Sequence, residues 1–202
     1  GPLSVGDIVR TLGFSPSTAH RLLTTLKSCH LVTQNPQDRR YSLSLRMLLY
    51  SKAILDQIDL RERAHPLLGE LSKEVGETVF MGILDGFELV YIDHVDSLDH
   101  GLRMTPQIGR RQDAHTTALG KVLLANLSPE QREEFLEAGS FPRRTEHSIT
   151  TSDALRRELE GVRLRGYAVD RQESEIGICC VAVPIRGIGG RVVAAISVSG
   201  PS

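Results

Sequence analysis

The chain of 202 residues has too few cysteines, and in the wrong places, for a disulfide scaffold. There are three, and two of them are adjacent at Cys179 and Cys180. No CxxC spacing occurs, which excludes the common structural zinc arrangements. No apolar run approaches the roughly 18 residues needed to span a bilayer, and the first residues lack the charged-then-apolar pattern of a secretory leader. Internal repeats and low-complexity tracts are also missing. These absences lead to the expectation of a reduced, cytoplasmic, globular protein without membrane contact, bound metal or cofactor.

What is present is unevenly distributed. The net charge is -1, yet residues 1–52 carry seven Lys/Arg (Arg10, Arg21, Lys27, Arg39, Arg40, Arg46, Lys52) against Asp7 and Asp38. The remainder holds 17 basic and 23 acidic groups. Phosphate binding is driven by Lys and Arg displacing counterions, so a basic head on an acidic body suits a nucleic-acid-binding module joined to another domain. Chance clustering of solvated charges is the plainer alternative.

The head has a definite pattern. In LSVGDIVRTLGF, Ser4 is a candidate N-cap, Val5, Ile8, Val9 and Leu12 recur at helical spacing, and Gly13 is a stop. A second helix follows Phe14, with Ser15 as cap and Pro16 at the first helical position, where no N–H is needed. Advancing about 100° per residue puts Ala19, Leu22, Leu23, Leu26 and Cys29 on an inward stripe. Ser17, Arg21, Thr24 and Ser28 face outward without an acid among them. A solvated face usually mixes Glu with Lys, whereas a face meant for phosphates and base edges excludes carboxylates. LVTQ, a bend at Asn35-Pro36 and RRYSLSL then read as a β-hairpin with Arg39 and Arg40 beside the turn. Two helices about a glycine turn followed by a hairpin make a winged helix-turn-helix.

Residues 1–43 resemble the winged helix-turn-helix of IclR-type bacterial transcription regulators. Members carry one further helix before this point, so the chain is expected to lack the first helix of that domain. The resemblance implies operator DNA as a partner, with Ser15, Ser17, Thr18, His20, Arg21, Thr24, Arg39 and Arg40 as the contacting residues.

Beyond the head, LRMLLYSKAILDQI has helical periodicity and is expected to be a linker helix, followed by a helix reaching Gly76. The expected boundaries are residues 1–44 for the DNA-binding domain, 45–58 for the linker helix and 59–202 for the rest. TVFMGILDG and FELVYIDHV meet at Asp85-Gly86 as a hairpin. Helical stretches follow at 115–127, 128–138 and 151–166. CCVAVPIRG and RVVAAISVSG, turned by Gly189-Gly190, close the chain as strands. The body is expected to be an α+β domain with a mainly antiparallel sheet.

HTTALGKVLLA, YAVDRQESEIGICCVAVPI and AAISVSGP are similar to the effector-binding domain of the same family, which has a GAF-like fold. The resemblance therefore covers nearly the whole chain and implies a sensor for a small organic or aromatic acid. From the residues themselves, HTTALGK reads as a helix start capped by Thr116 or Thr117. Its free N–H groups suit a carboxylate, although an ordinary capped helix with Gly120 for close packing is an equal alternative. In ISVS, alternation sends Ser197 and Ser199 to one face, where burial would imply a polar cavity. The family's pocket groups fall on Ala118, Leu119, Asp170, Cys180, Ser197 and Ser199. Leu119 is bulkier than the residue some members have there. Met81, Leu102, Met104 and Ile178 are candidate apolar walls, and an ordinary core role competes for each. An ionised Asp170 would accept from a ligand hydroxyl and repel a carboxylate, so a hydroxy- or keto-acid, or a hydroxylated aromatic acid, is the expected effector.

Because one recognition helix makes few contacts, a homodimer, or a tetramer, is expected on paired half-sites. Three rivals remain open from the residues alone. One is a thiol hydrolase built from Cys180, His115 and Asp170. Another is a metal site among His94, His115, Cys179 and Cys180, whose spacing fits no dedicated motif. The third is a metabolite-binding signalling module whose basic head contacts protein.

Overall fold

The computed structural model describes residues 1–50, 59–97, 108–187 and 189–202. The chain divides into two compact units, Gly1–Asp59 and Leu60–Ser202.

In the first unit, α1 (Val5–Leu12) opens with a reciprocal capping box: Ser4 Oγ accepts from Asp7 N, and Asp7 accepts from Ser4 N. Gly13 ends it in the left-handed conformation (φ 68°), donating its N–H to Val9 O. Only glycine adopts that conformation cheaply. α2 (Pro16–Ser28) starts as expected, with Ser15 accepting from Thr18 N and Pro16 in the first turn. β1 (Val32–Gln34) and β2 (Tyr41–Leu43) pair antiparallel, Gln34 opposite Tyr41, and form the wing. Asn35 shapes its tip by accepting from Gln37 N through its side chain and from Arg39 N through its carbonyl.

The inward stripe is only partly buried. Ala19 and Leu23 lie inside with Tyr41, but Leu22 and Leu26 are 43% and 37% exposed and Cys29 is exposed. The reason is surface supply: two short helices and a two-stranded ribbon cannot cover the whole apolar side of α2. After β2, residues 46–50 are helical; the rest of the expected linker helix, 51–58, lies outside the described residues.

The second unit opens with α3 (Asp59–Val75), ended by Gly76 at φ 74°. β3 (Thr78–Asp85) and β4 (Glu88–Val95) form the expected hairpin, with Gly86 at φ 61° in its turn. There follow β5 (Arg111–Asp113), a 3-10 turn over Ala114–Thr116, α4 (Ala118–Ala125), α5 (Pro129–Ala138) and α6 (Ser152–Arg165). β6 (Ala168–Arg171), β7 (Ile178–Arg186) and β8 (Val192–Pro201) complete the unit. The strands lie in the order β5-β4-β3-β8-β7-β6, and every neighbouring pair is antiparallel. The α+β fold with an antiparallel sheet is therefore as read from the sequence.

The two faces of this sheet are used differently. On one, Phe80, Leu89, Ala182 and Ala195 pack with Leu119, Val122 and Leu123 of α4 and Leu155 and Leu159 of α6. On the other, α3 is fastened by His65 Nδ1, 2.9 Å from Asp93 Oδ2, and by the Ser72 hydroxyl, which donates to Glu77 O. Asp93 is buried, so its two α3 partners, His65 and Arg61 at 3.6 Å, satisfy a charge that would otherwise be costly.

Candidate ligand pocket and DNA-binding face

In an antiparallel sheet, residues directly opposite each other point to the same face, as do residues two apart along a strand. Cys180 pairs with both Asp170 and Ser199, and Ser199 pairs with Thr78. One step along, Ser197 pairs with Ala182 and Phe80, and Phe80 with His94. Asp170, Ile178, Cys180, Ser197 and Ser199 therefore share the face covered by α4. Met81 does not: it pairs with Ile196 and Asp93, on the α3 side of the sheet. The expectation of Met81 as a pocket wall is corrected by this register, in which its neighbour Phe80 takes the inward position. Leu102 and Met104 lie outside the described residues.

Ser197 and Ser199 are each only 3% exposed. Ser199 donates to Cys180 Sγ at 3.0 Å, while the Ser197 hydroxyl has no hydrogen-bond partner among the described residues. α4 packs on this same face, and its first residues, Ala118 and Leu119, belong to the core cluster there. Thr117 caps it, its Oγ1 accepting from Gly120 N and its carbonyl from Lys121 N. The N–H groups of Ala118 and Leu119 precede the first intrahelical bond, and both residues are buried. Gly120 has a separate role. A Cβ there would fall 2.1 Å from the Ala114 carbonyl oxygen, so glycine lets the 3-10 turn lie against the helix. The capped helix with Gly120 for close packing is thus what the structure shows. Leu119 Cδ1 reaches over Gly82, 3.5 Å from where a Cβ would sit.

The electrostatics centre on a buried cluster. Asp170 accepts from Glu173 N at 2.6 Å and from the Ser174 hydroxyl at 2.7 Å. Burial pushes its carboxyl above the usual range, against those two bonds and the charge of Lys121. Lys121, 1% exposed, donates to Glu173 Oε1 at 2.5 Å and Val169 O at 2.6 Å, with Glu158 at 3.6 Å. Glu173 is likewise pushed up by burial, and its Oε2 is buried without a partner among the described residues. Burial raises the Cys180 thiol to about 12 despite the hydroxyl it receives.

The thiolate is the reactive form, so this upward shift works against a nucleophilic role. His115 Nε2 lies 3.2 Å from the Pro142 carbonyl, burial lowers its pKa, and its ring packs against Phe141. Neither the base nor the orienter required by a thiol hydrolase is in place. Among the described residues no group of three His, Cys, Asp or Glu could hold a metal ion, and no helix is long and apolar enough to cross a membrane.

Sequence reasoning missed that Thr78, Phe80, Tyr91 and Gln112 share the face of the sheet that carries Ser197 and Ser199. Tyr91 pairs with Gly82, which pairs with Ala195, and its hydroxyl donates to Gln112 Oε1 at 2.7 Å. Alternation in TVFMGILD was the available signal, but it leaves open which parity faces inward until the partner strand is known.

On the first unit, Ser17, His20, Arg21 and Thr24 are exposed along α2, and Thr18 is half-buried. Ser15 is engaged: its hydroxyl caps α2 and lies 3.0 Å from that of Ser17 and 2.9 Å from that of Thr18. The Thr24 hydroxyl donates to His20 O and keeps its lone pairs. Arg39 sits at the wing tip in a left-handed conformation (φ 60°), and Arg40 Nη1 donates to Pro2 O.

A helix-turn-helix with a two-stranded wing, joined in one chain to a unit whose sheet buries serine hydroxyls on the face that α4 covers, is the make-up of a ligand-responsive DNA-binding regulator. Residues 1–36 match the IclR helix-turn-helix domain, and residues 52–202 match the C-terminal domain of bacterial transcriptional regulator IclR. The chain belongs to the IclR family of transcription regulators and is not an enzyme. It is 38% identical to the HTH-type transcriptional regulator XynR of Escherichia coli, over 98% of this chain and 78% of that protein. Among solved structures it is similar to the Thermotoga maritima IclR (37% identity, TM-score 0.73, 100% of this chain and 81% of that one). It is also similar to an IclR homologue complexed with 4-hydroxybenzoate from Microbacterium hydrocarbonoxydans (26% identity, TM-score 0.80, 99% and 82%).

Proposed function

We propose that this regulator binds operator DNA as a homodimer or tetramer through α2 and the wing, in the cytoplasm, and that an organic acid in the pocket controls that binding. Residues 1–44 are its DNA-binding domain, 45–58 its linker and 59–202 its effector domain. Arg21 reads or anchors the major groove with Ser17, Thr18, His20 and Thr24, and Arg39 and Arg40 contact the flanking backbone. The acid-free outward face of α2 supports this assignment.

For the effector, the carrying observation is the near-complete burial of Ser197 and Ser199 on one face with Asp170 and Cys180. Buried hydroxyls need partners, and a carboxylate supplies acceptors to them and to the N–H groups of Ala118 and Leu119. Ile178 gives the apolar side. Asp170, occupied by two donors on one lone pair per oxygen, retains capacity to accept from a ligand hydroxyl or keto-acid hydrate. The homologue complexed with 4-hydroxybenzoate is consistent with a hydroxylated aromatic acid.

The test is native mass spectrometry on protein purified from cells, followed by calorimetry with the trapped acid. Ser197→Ala and Ser199→Ala should each weaken binding by about 0.5 to 3 kcal/mol, leaving ligand-free DNA affinity unchanged. No loss in either variant, or a trapped molecule without an acid group, overturns the pocket. Sedimentation showing only a 22.3 kDa species counts against the dimer.

A further inference from the structure

One polar pair on the pocket face is unaccounted for by the serines and the helix start. The Tyr91 ring stands edge-on to Phe80 at 5.6 Å, and Phe80 is the direct neighbour of Ser197. Tyr91, Ser197, Cys180 and Asp170 share this face of the sheet. Gln112, which accepts the phenol's hydrogen bond, lies on β5 just before the turn Ala114–Thr116 that leads into α4. The pair thus bridges the floor of the pocket and the approach to the helix start.

A tyrosine that needs only a structural partner is served by any carbonyl. A carboxamide differs, because it carries an acceptor and two donors that exchange places on half a rotation of its terminal torsion. Burial, reinforced by the neighbouring acidic groups, holds the phenol well above its ordinary pKa, so it remains a donor throughout the physiological range.

We propose that Tyr91 and Gln112 form a further effector-contacting pair, in which the Tyr91 hydroxyl donates to the effector's carboxylate and Gln112 selects that anionic group over a neutral one. Without ligand, the phenol donates to Gln112 Oε1. When a carboxylate arrives, the phenol turns its proton to it, and the carboxamide rotates to donate its N–H to the phenol oxygen. Both partners stay satisfied in both states. A glutamate at 112 cannot make this exchange: it offers only acceptors, and its charge opposes the incoming acid. The pair rests on the pocket proposed above and adds residues and a selectivity to it.

The experiment is calorimetry on the full chain with two probes of one shape, 4-hydroxybenzoate and 4-hydroxybenzamide, on the parent, Tyr91→Phe and Gln112→Glu. The parent should prefer the carboxylate. Tyr91→Phe should lower its affinity about 10- to 150-fold, the range for one hydrogen bond to a charged group. Gln112→Glu should lower carboxylate affinity about tenfold or more while changing amide affinity less than about threefold. A purely structural pair would shift both probes together, and that result overturns the proposal. If Ser197→Ala and Ser199→Ala lose the carboxylate while both pair variants keep parental selectivity, the pocket stands and the pair falls. If the parent binds neither probe, the pair and the hydroxylated aromatic class fall together. Gln112→Glu, on a half-buried edge position, keeps the question decidable should Tyr91→Phe fold poorly.

Discussion

The Ser199 hydroxyl donates to the Cys180 sulfur across 3.0 Å, from directly paired positions of β8 and β7. The bond joins two polar groups of the proposed pocket and fixes which way the hydroxyl proton points. It also favours the thiolate, yet burial dominates and holds the thiol pKa at about 12.

Cysteine reactivity should therefore separate cleanly. Iodoacetamide at neutral pH should modify the exposed Cys29 and leave Cys180 intact until the protein is denatured. Peptide mapping by mass spectrometry reads this, and rapid labelling of Cys180 in folded protein would contradict it. The same shift has a stability consequence. A thiol with a raised folded pKa costs nothing below its unfolded value near 9. Above that, the unfolded chain ionises and the folded chain does not, so stability falls as pH rises toward 12. Cys180→Ala should flatten that alkaline slope in urea titrations.

Two glycines in helices of the sensor unit should respond oppositely to the same change. Gly120→Ala places a methyl group 2.1 Å from the Ala114 carbonyl, and backbone cannot yield as a side-chain tip can. The expected loss is at least the about 1 to 3 kcal/mol of an overpacked core, with loss of acid binding as the start of α4 shifts. Gly69→Ala in α3 meets nothing within 4 Å and should stabilise by about 0.4 to 1 kcal/mol. Thermal melts of the two variants decide the matter; equal melting temperatures would refute the close packing of α4.

How much of this is legible in the sequence follows from how local each signal is. Ser4, Gly13, Ser15 and Pro16 mark helix ends by backbone chemistry within a few residues, and α1 begins and ends, and α2 begins, where they indicate. The hairpin at Asp85-Gly86 is equally local. β5 and β6 escape notice as separate strands, because three- or four-residue edge strands such as RQD and AVDR carry too little alternation. The inward direction of Ser197 and Ser199 comes from family resemblance. The misassignment of Met81 shows what resemblance and alternation lack, namely register, which is set by partners over a hundred residues away.

Lys121 tests the buried charge cluster. Its ammonium neutralises Glu173 and ties α4 to the Val169 carbonyl, while Glu173 N holds Asp170. Lys121→Met strands the Glu173 carboxylate, and breaking a buried pair this way typically costs about 3 to 5 kcal/mol. Adding Glu173→Gln should recover part of the loss, because the uncompensated charge is then gone. Denaturant titration of the two singles and the double closes the cycle. Strict additivity would mean that the two side chains do not act as a pair.

On the DNA side, Ser15 and Arg21 should fail in different ways. Ser15 accepts from Thr18 N and lies beside two further hydroxyls, so Ser15→Ala removes a helix cap and should lower stability by about 0.5 to 2 kcal/mol. Arg21 is exposed and, among the described residues, no acid pairs with it, so Arg21→Ala should leave the melting temperature unchanged. Its effect belongs to binding: about 1 to 3 kcal/mol with relaxed specificity at one position if it reads a base. A phosphate contact would instead give uniform weakening and a shallower salt dependence. Fragments that the parent protein selects from a random DNA pool supply the binding site. An Arg21→Ala variant that binds those fragments as tightly as its parent at every salt concentration would remove α2 from the groove. A Ser15→Ala variant that melts like its parent but loses DNA would return Ser15 from cap to contact.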